Sequence, residues 1–87
     1  MPAYCRSRDG RVFRVQRFSD ITTERARYVL RATPIRQPDA HPIELACELQ
    51  AALLRDKIRH GQAVPTPEDM FEQLWQQLQL DLAARRA

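Results

Sequence analysis

From Arg25 to Ala32 the chain alternates. Ala26, Tyr28, Leu30 and Ala32 occupy every second position, and Arg25, Arg27, Val29 and Arg31 lie between them. A period of two marks a strand with one apolar face. Such a strand needs neighbours along its edges and a cover for its oily side. Its other side is a row of arginines. Read instead as a helix from Ser19, with Asp20 or Thr22 as cap and Glu24 in the first turn, the same stretch scatters its apolar residues in several directions. The strand from Arg25 gives the cleaner pattern, and Pro34 ends either element.

Upstream, Asp9-Gly10 signals a hairpin turn of type I′, which needs positive φ at both central positions. Strands over roughly Ala3–Arg8 and Arg11–Phe18 flank it. Phe13 and Val15 share one face, Arg14 and Gln16 the other, and Val12 and Phe18 fall with the polar set. Downstream, the three prolines of PIRQPDAHP, Pro34 to Pro42, form a stiff connector.

The remainder reads as two helices. The first begins near His41-Pro42 and ends near His60, where Gly61 supplies a left-handed stop. Ile43, Ala46, Cys47, Leu49, Leu53, Leu54 and Ile58 would make its apolar face. Glu44, Glu48, Arg55 and Arg59 would make a charged stripe, and Gln50 falls inside the apolar arc. The second helix opens on Thr66-Pro67-Glu68-Asp69, with a capping threonine and acids in the first turn. Phe71, Leu74, Trp75, Leu78 and Leu82 line one side of it, and Leu80 points away.

These elements predict a single α+β domain over residues 1–87. Residues 1–33 form a basic, β-rich part with an antiparallel sheet of two or three strands. Residues 34–42 are the connector, and 43–86 form an antiparallel helical hairpin that covers one face of the sheet. A chain of 87 residues has a thin core, and oligomerisation is a common remedy. A homodimer is expected, with Leu53, Leu54, Ile58, Phe71, Trp75 and Leu78 as interface candidates. Taken singly, each of these six also fits an ordinary intramolecular core.

Charge is divided unevenly. Residues 1–36 carry nine arginines against Asp9, Asp20 and Glu24, a balance of +6, and residues 37–87 carry −3. The split points to an acidic partner for the N-terminal half, or to two halves that neutralise each other. Lys57 is the only lysine. GC-rich codon usage explains arginine in place of lysine without any function, and selection for arginine's planar fork explains it with one.

Catalysis and cofactors have little footing. With only Gly10 and Gly61 there is no phosphate-binding loop. His41, Cys47 and His60 match no metal-ligand spacing, and Cys5 is remote from them. Neither cysteine has a base placed beside it. Glu44, Glu48 and Glu72 read as solvated helix residues. No enzyme, cofactor or metal is expected. The opening MPAYCRSRDG lacks the apolar segment of a signal peptide, and the longest aliphatic run is Ala51–Leu54, so no membrane association and a cytoplasmic location are expected.

The expected function is that of a small non-enzymatic regulator, inhibitor or adaptor. It would bind an acidic protein surface through Arg14, Arg25, Arg27 and Arg31. The alternative is a DNA-binding transcriptional regulator using the same arginines. The order strand, helix, Gly turn, helix over Arg25 to Leu82 loosely resembles the ribbon-helix-helix repressors. PIRQPDAHP is longer than that family's strand-to-helix junction, and the first helix is longer too, so no base-reading residue is carried over. The aromatic pattern of RNA-binding sheets is absent, because Tyr28 shares the oily face.

Overall fold

The computed structural model describes residues 3–37 and 39–84. Its elements are β1 (Ala3–Arg6), β2 (Val12–Ile21), β3 (Arg25–Pro34), β4 (Ile43–Gln50), α1 (Ala51–Arg59) and α2 (Pro67–Ala84). The four strands form one antiparallel meander in the order β1-β2-β3-β4. The α+β class is as expected, with four strands rather than two or three.

The alternating stretch is indeed a strand. On β3, Ala26, Tyr28, Leu30, Ala32 and Pro34 are buried. Phe13 and Val15 of β2 join them on the same face. α2 lies across this face, mainly over β3 and β4. It buries Met70, Phe71, Leu74, Leu78 and Leu82. Phe71 meets Tyr28 edge-on, with ring centroids 5.3 Å apart and planes at 82°, a favoured geometry for an aromatic pair. The start of α2 is as read: Asp69 N–H donates to Thr66 Oγ1 (3.1 Å), and Thr66 N–H donates to Asp69 Oδ2 (2.9 Å). Two end-of-helix donors are thereby satisfied reciprocally.

The long first helix is the main correction. Ile43–Gln50 is a strand, and only Ala51–Arg59 is helical. Ile43, Leu45, Cys47 and Leu49 are half-buried, while Glu44, Ala46, Glu48 and Gln50 are exposed. That is a period of two, and β3 imposes it: Tyr28 faces Cys47 and Leu30 faces Leu45 in an unbroken register. Nor do α1 and α2 form the expected hairpin. α1 has no buried residue, and its main contacts are with the adjoining β4. Gly61 does close α1, with φ +66°.

The hairpin turn also differs in detail. Gly10 has φ +87°, but no described residue other than glycine has positive φ, which rules out a type I′ pair at Asp9-Gly10. Instead Gly10 N–H donates to the Ser7 carbonyl (3.0 Å) and Ser7 N–H to the Arg11 carbonyl (2.9 Å). A turn closed by one left-handed glycine, followed by a bulge-type pairing, produces this pattern. Leu82 binds the turn from the side, its carbonyl accepting from Arg8 N–H at 3.3 Å. α2 extends to Ala84, and residues 85–87 lie outside the described residues.

Among the interface candidates, Phe71 and Leu78 belong to the core and Trp75 is packed against it. Leu54 is half-buried, and Leu53 and Ile58 are exposed.

Candidate functional site

With α2 on one face of the sheet, the other face is open. Strand alternation fixes its membership. Tyr4 and Arg6 come from β1, and Val12, Arg14, Gln16, Phe18 and Asp20 from β2. β3 supplies Arg25, Arg27, Val29, Arg31 and Thr33, and β4 supplies Glu44, Ala46, Glu48 and Gln50. All four predicted arginines, Arg14, Arg25, Arg27 and Arg31, therefore share this face.

They do not share an environment. β4 brings two carboxylates beside the β3 arginines. Arg31 Nε lies 2.7 Å from Glu44 Oε1, and Arg25 Nη1 lies 3.6 Å from Glu48 Oε1. Arg27 stands between Asp20 and Glu48 in the cross-strand register. The Arg31 guanidinium also lies over the Phe18 ring, 4.8 Å from its centroid. The β3–β4 half is thus close to neutral. Reading β4 as helix hid this, because Glu44 and Glu48 would have pointed elsewhere.

The uncompensated charge lies at the other end. Arg14 stands between Tyr4 and Thr33 and has no ion pair among the described residues. Next to it, Arg6, Arg11 and Arg36 line a cleft of about 590 Å³ together with Asp9, Val12 and Ile35. Three guanidinium groups there face one carboxylate. Arg11 Nη2 donates to Gln37 Oε1 at 2.7 Å, which orients its fork without neutralising it. Asp9 is engaged internally: it accepts from the Ser7 hydroxyl and from Arg11 N–H. The Ser7 hydrogen bond above all, and the nearby Arg11 charge, hold its carboxyl below the usual range.

Sequence reasoning missed Arg6, Arg11 and Arg36. Arg6 was accessible from alternation with Tyr4. Arg11 and Arg36 come together only through the β2–β3 register, which places Ile35 N–H on the Val12 carbonyl at 3.0 Å; no local signal encodes that. Tyr4 and Phe18 were also missed. They are 53% and 41% exposed, so the open face does present two aromatic rings among its arginines.

Elsewhere the chemistry is sparse. Among the described residues no group of three or more His, Cys, Asp or Glu side chains could hold a metal. Cys5 and Cys47 are unpaired and half-buried, and burial pushes both thiols up, away from the thiolate a nucleophile needs. His60 Nδ1 lies 2.8 Å from the Asp56 carbonyl at the end of α1. A second cleft, about 490 Å³, runs beside α2 between Trp75, Glu72 and Arg17. No helix among the described residues is long and apolar enough to cross a membrane. The chain matches no protein-family model, no curated protein sequence and no solved structure.

Proposed function

We propose that this chain is a non-enzymatic binding protein that docks on an acidic protein surface through the open face of its sheet. Arg6 and Arg14 of that face, with Arg11 and Arg36 of the cleft at its end, supply the charge, and Tyr4 the anchor. The observation that carries this reading is the division of the open face. One end concentrates arginines beside the exposed Tyr4 ring, and arginine and tyrosine are prominent among the residues that dominate binding energy in protein interfaces. The other end mixes arginines with Asp20, Glu44 and Glu48. Those carboxylates would repel a phosphate backbone laid along the sheet, whereas a protein surface can match mixed charge. The compact basic corner favours a second reading, nucleic-acid binding confined to that end.

The test is a titration of the 15N-labelled protein with polyglutamate and, separately, with oligo-deoxythymidine, across a salt series. Shifts from polyglutamate that cluster at Arg6, Arg11, Arg14 and Arg36 and vanish in Arg6→Glu/Arg14→Glu support the protein-binding reading. Shifts from the oligonucleotide alone replace it with the second reading. Silence with both ligands at low salt removes the basic end as a site.

A further inference from the structure

β4 is an edge strand, and its outer side has no neighbour among the described residues. Long regular edges invite pairing, and proteins usually guard them with proline, lysine or a bulge. Ile43–Gln50 contains neither proline nor lysine, its two charges, Glu44 and Glu48, are paired back onto Arg31 and Arg25 of β3, and its register with β3 is unbroken. Its core-side row, Ile43, Leu45, Cys47 and Leu49, remains half-exposed although packed against the core.

α1 follows this strand without a break. Nine residues are too few for a helix to hold itself in water. Yet α1 buries nothing, starts at Gln50 with no side-chain cap, and leaves Leu53 and Ile58 48% and 65% exposed. The molecule measures 47 × 22 × 21 Å, an elongated outline for a chain of this length. Edge and helix are contiguous in the chain, and neither is covered among the described residues.

We infer that this edge pairs with a second copy of the chain, β4 against β4, about a two-fold axis through Cys47. Pairing that keeps the apolar faces together must place a residue opposite its own copy. Centring on Ala46 sets Glu44 against Glu48 of the partner subunit, twice over. Centring on Glu48 sets that glutamate against itself. Like charges directly opposite are destabilising. Centring on Leu45 sets Glu48 against Pro42 of the partner subunit and leaves the strand's end without a ladder. Centres nearer either end, such as Leu49, pair only a few residues before the strand gives way to α1 or the connector, and the Cys47 centre avoids all of these faults. It sets Leu45 against Leu49 of the partner subunit, Glu44 against the partner's Gln50, and Ala46 against the partner's Glu48. Ile43 then meets the partner's Ala51, so the second copy reaches the first turn of α1. Glu44 and Glu48 remain with Arg31 and Arg25, and the two open faces join into one eight-stranded sheet. This inference stands apart from the choice of acidic partner.

Directly opposed residues have Cα atoms about 5 Å apart, within disulfide reach. The test combines sedimentation with oxidation by diamide, which removes two protons and two electrons from a thiol pair. Cys5→Ser protein should sediment at twice the 10.2 kDa chain mass and convert to a Cys47-linked dimer. Leu53→Glu/Ile58→Glu, with its sheet signal in circular dichroism retained, should sediment as a monomer and resist cross-linking. A wild-type monomer at sub-millimolar concentration overturns the pairing. So does a dimer that diamide leaves unlinked, because the register would then be wrong.

Discussion

The two helices share a chain and little else. α2 has eighteen residues, a reciprocal cap, and five side chains in the core. It is tied down at both ends: Arg17 reaches Glu68 at 3.2 Å and lies over the Phe71 ring, and the Leu82 carbonyl accepts from Arg8 N–H. α1 has nine residues, no side-chain cap and nothing buried. Helices in proteins owe most of their stability to the packing of one face rather than to propensity. α2 has that packing within its own chain; α1 has to find it elsewhere.

The largest expected effect tests this contrast directly. Leu78 is completely buried, and Leu78→Ala should lower unfolding free energy in urea by about 2–5 kcal/mol through lost transfer and cavity terms. Ile58→Ala, measured where the chain is dilute and monomeric, should stay within about 0.5 kcal/mol, as surface changes usually do. Equal losses at the two positions would mean that α1 is packed after all. If Ile58→Ala becomes costly only as protein concentration rises, the missing cover is a second copy.

The caps give the next comparison. Thr66→Ala removes one arm of the reciprocal pair and should cost about 1 kcal/mol in global stability. Gln50→Ser supplies the kind of cap that α1 lacks. Gln50 already has φ −77° and ψ 136°, the extended backbone a cap requires. Slower amide exchange within Ala51–Arg59 is expected, with the urea midpoint unchanged, because local order in α1 does not feed the core. A raised midpoint would show that the two helices unfold together.

The same contrast explains what was legible in the sequence. α2 announced itself because cap, acids and apolar stripe agree. β3 did so because its alternation spans the whole strand. IELACELQAALLRDKIRH deceived for a physical reason. Glu44 and Glu48 are four apart, a spacing that keeps two residues on one side of both a helix and a strand. Ala46, Ala51 and Ala52 are small enough to join any face. No glycine or proline separates Gln50 from Ala51. The discriminating signal was Ile43, Leu45, Cys47 and Leu49 at spacing two, and pairing with β3 decides in its favour. The arginine face was readable because Arg14, Arg25, Arg27 and Arg31 need only alternation. Its neutralisation by Glu44 and Glu48, and the gathering of Arg11 with Arg36, depend on register between strands that are distant in sequence.

A smaller effect concerns the N-terminal tie of α2. Both partners of the Arg17–Glu68 pair are more than half exposed, so the charge interaction is worth under about 1 kcal/mol and fades with salt. Arg17→Gln should lower stability slightly at low ionic strength. Any deficit that persists at high salt measures the packing of Arg17 on Phe71, which screening does not remove.

The smallest effect lies at the other end of α2, where Leu82 holds the turn between β1 and β2. Asp9 accepts from the Ser7 hydroxyl there, and its pKa is depressed in the folded chain. A carboxyl with a lowered folded pKa stabilises the fold above its unfolded value of about 4 and loses that contribution as pH falls through the folded value. Asp9→Asn should therefore be slightly less stable than wild type near pH 6, with the difference in urea midpoint closing on acidification below about pH 4. If the turn is only a local device, amide exchange in Ala3–Arg6 and at Arg8 should quicken in this variant while that of Leu78 stays fixed. If Leu78 exchange quickens as well, the Arg8–Leu82 contact is part of what keeps α2 on the sheet, and the anchoring of α2 is then shared between its apolar face and the turn beyond its end.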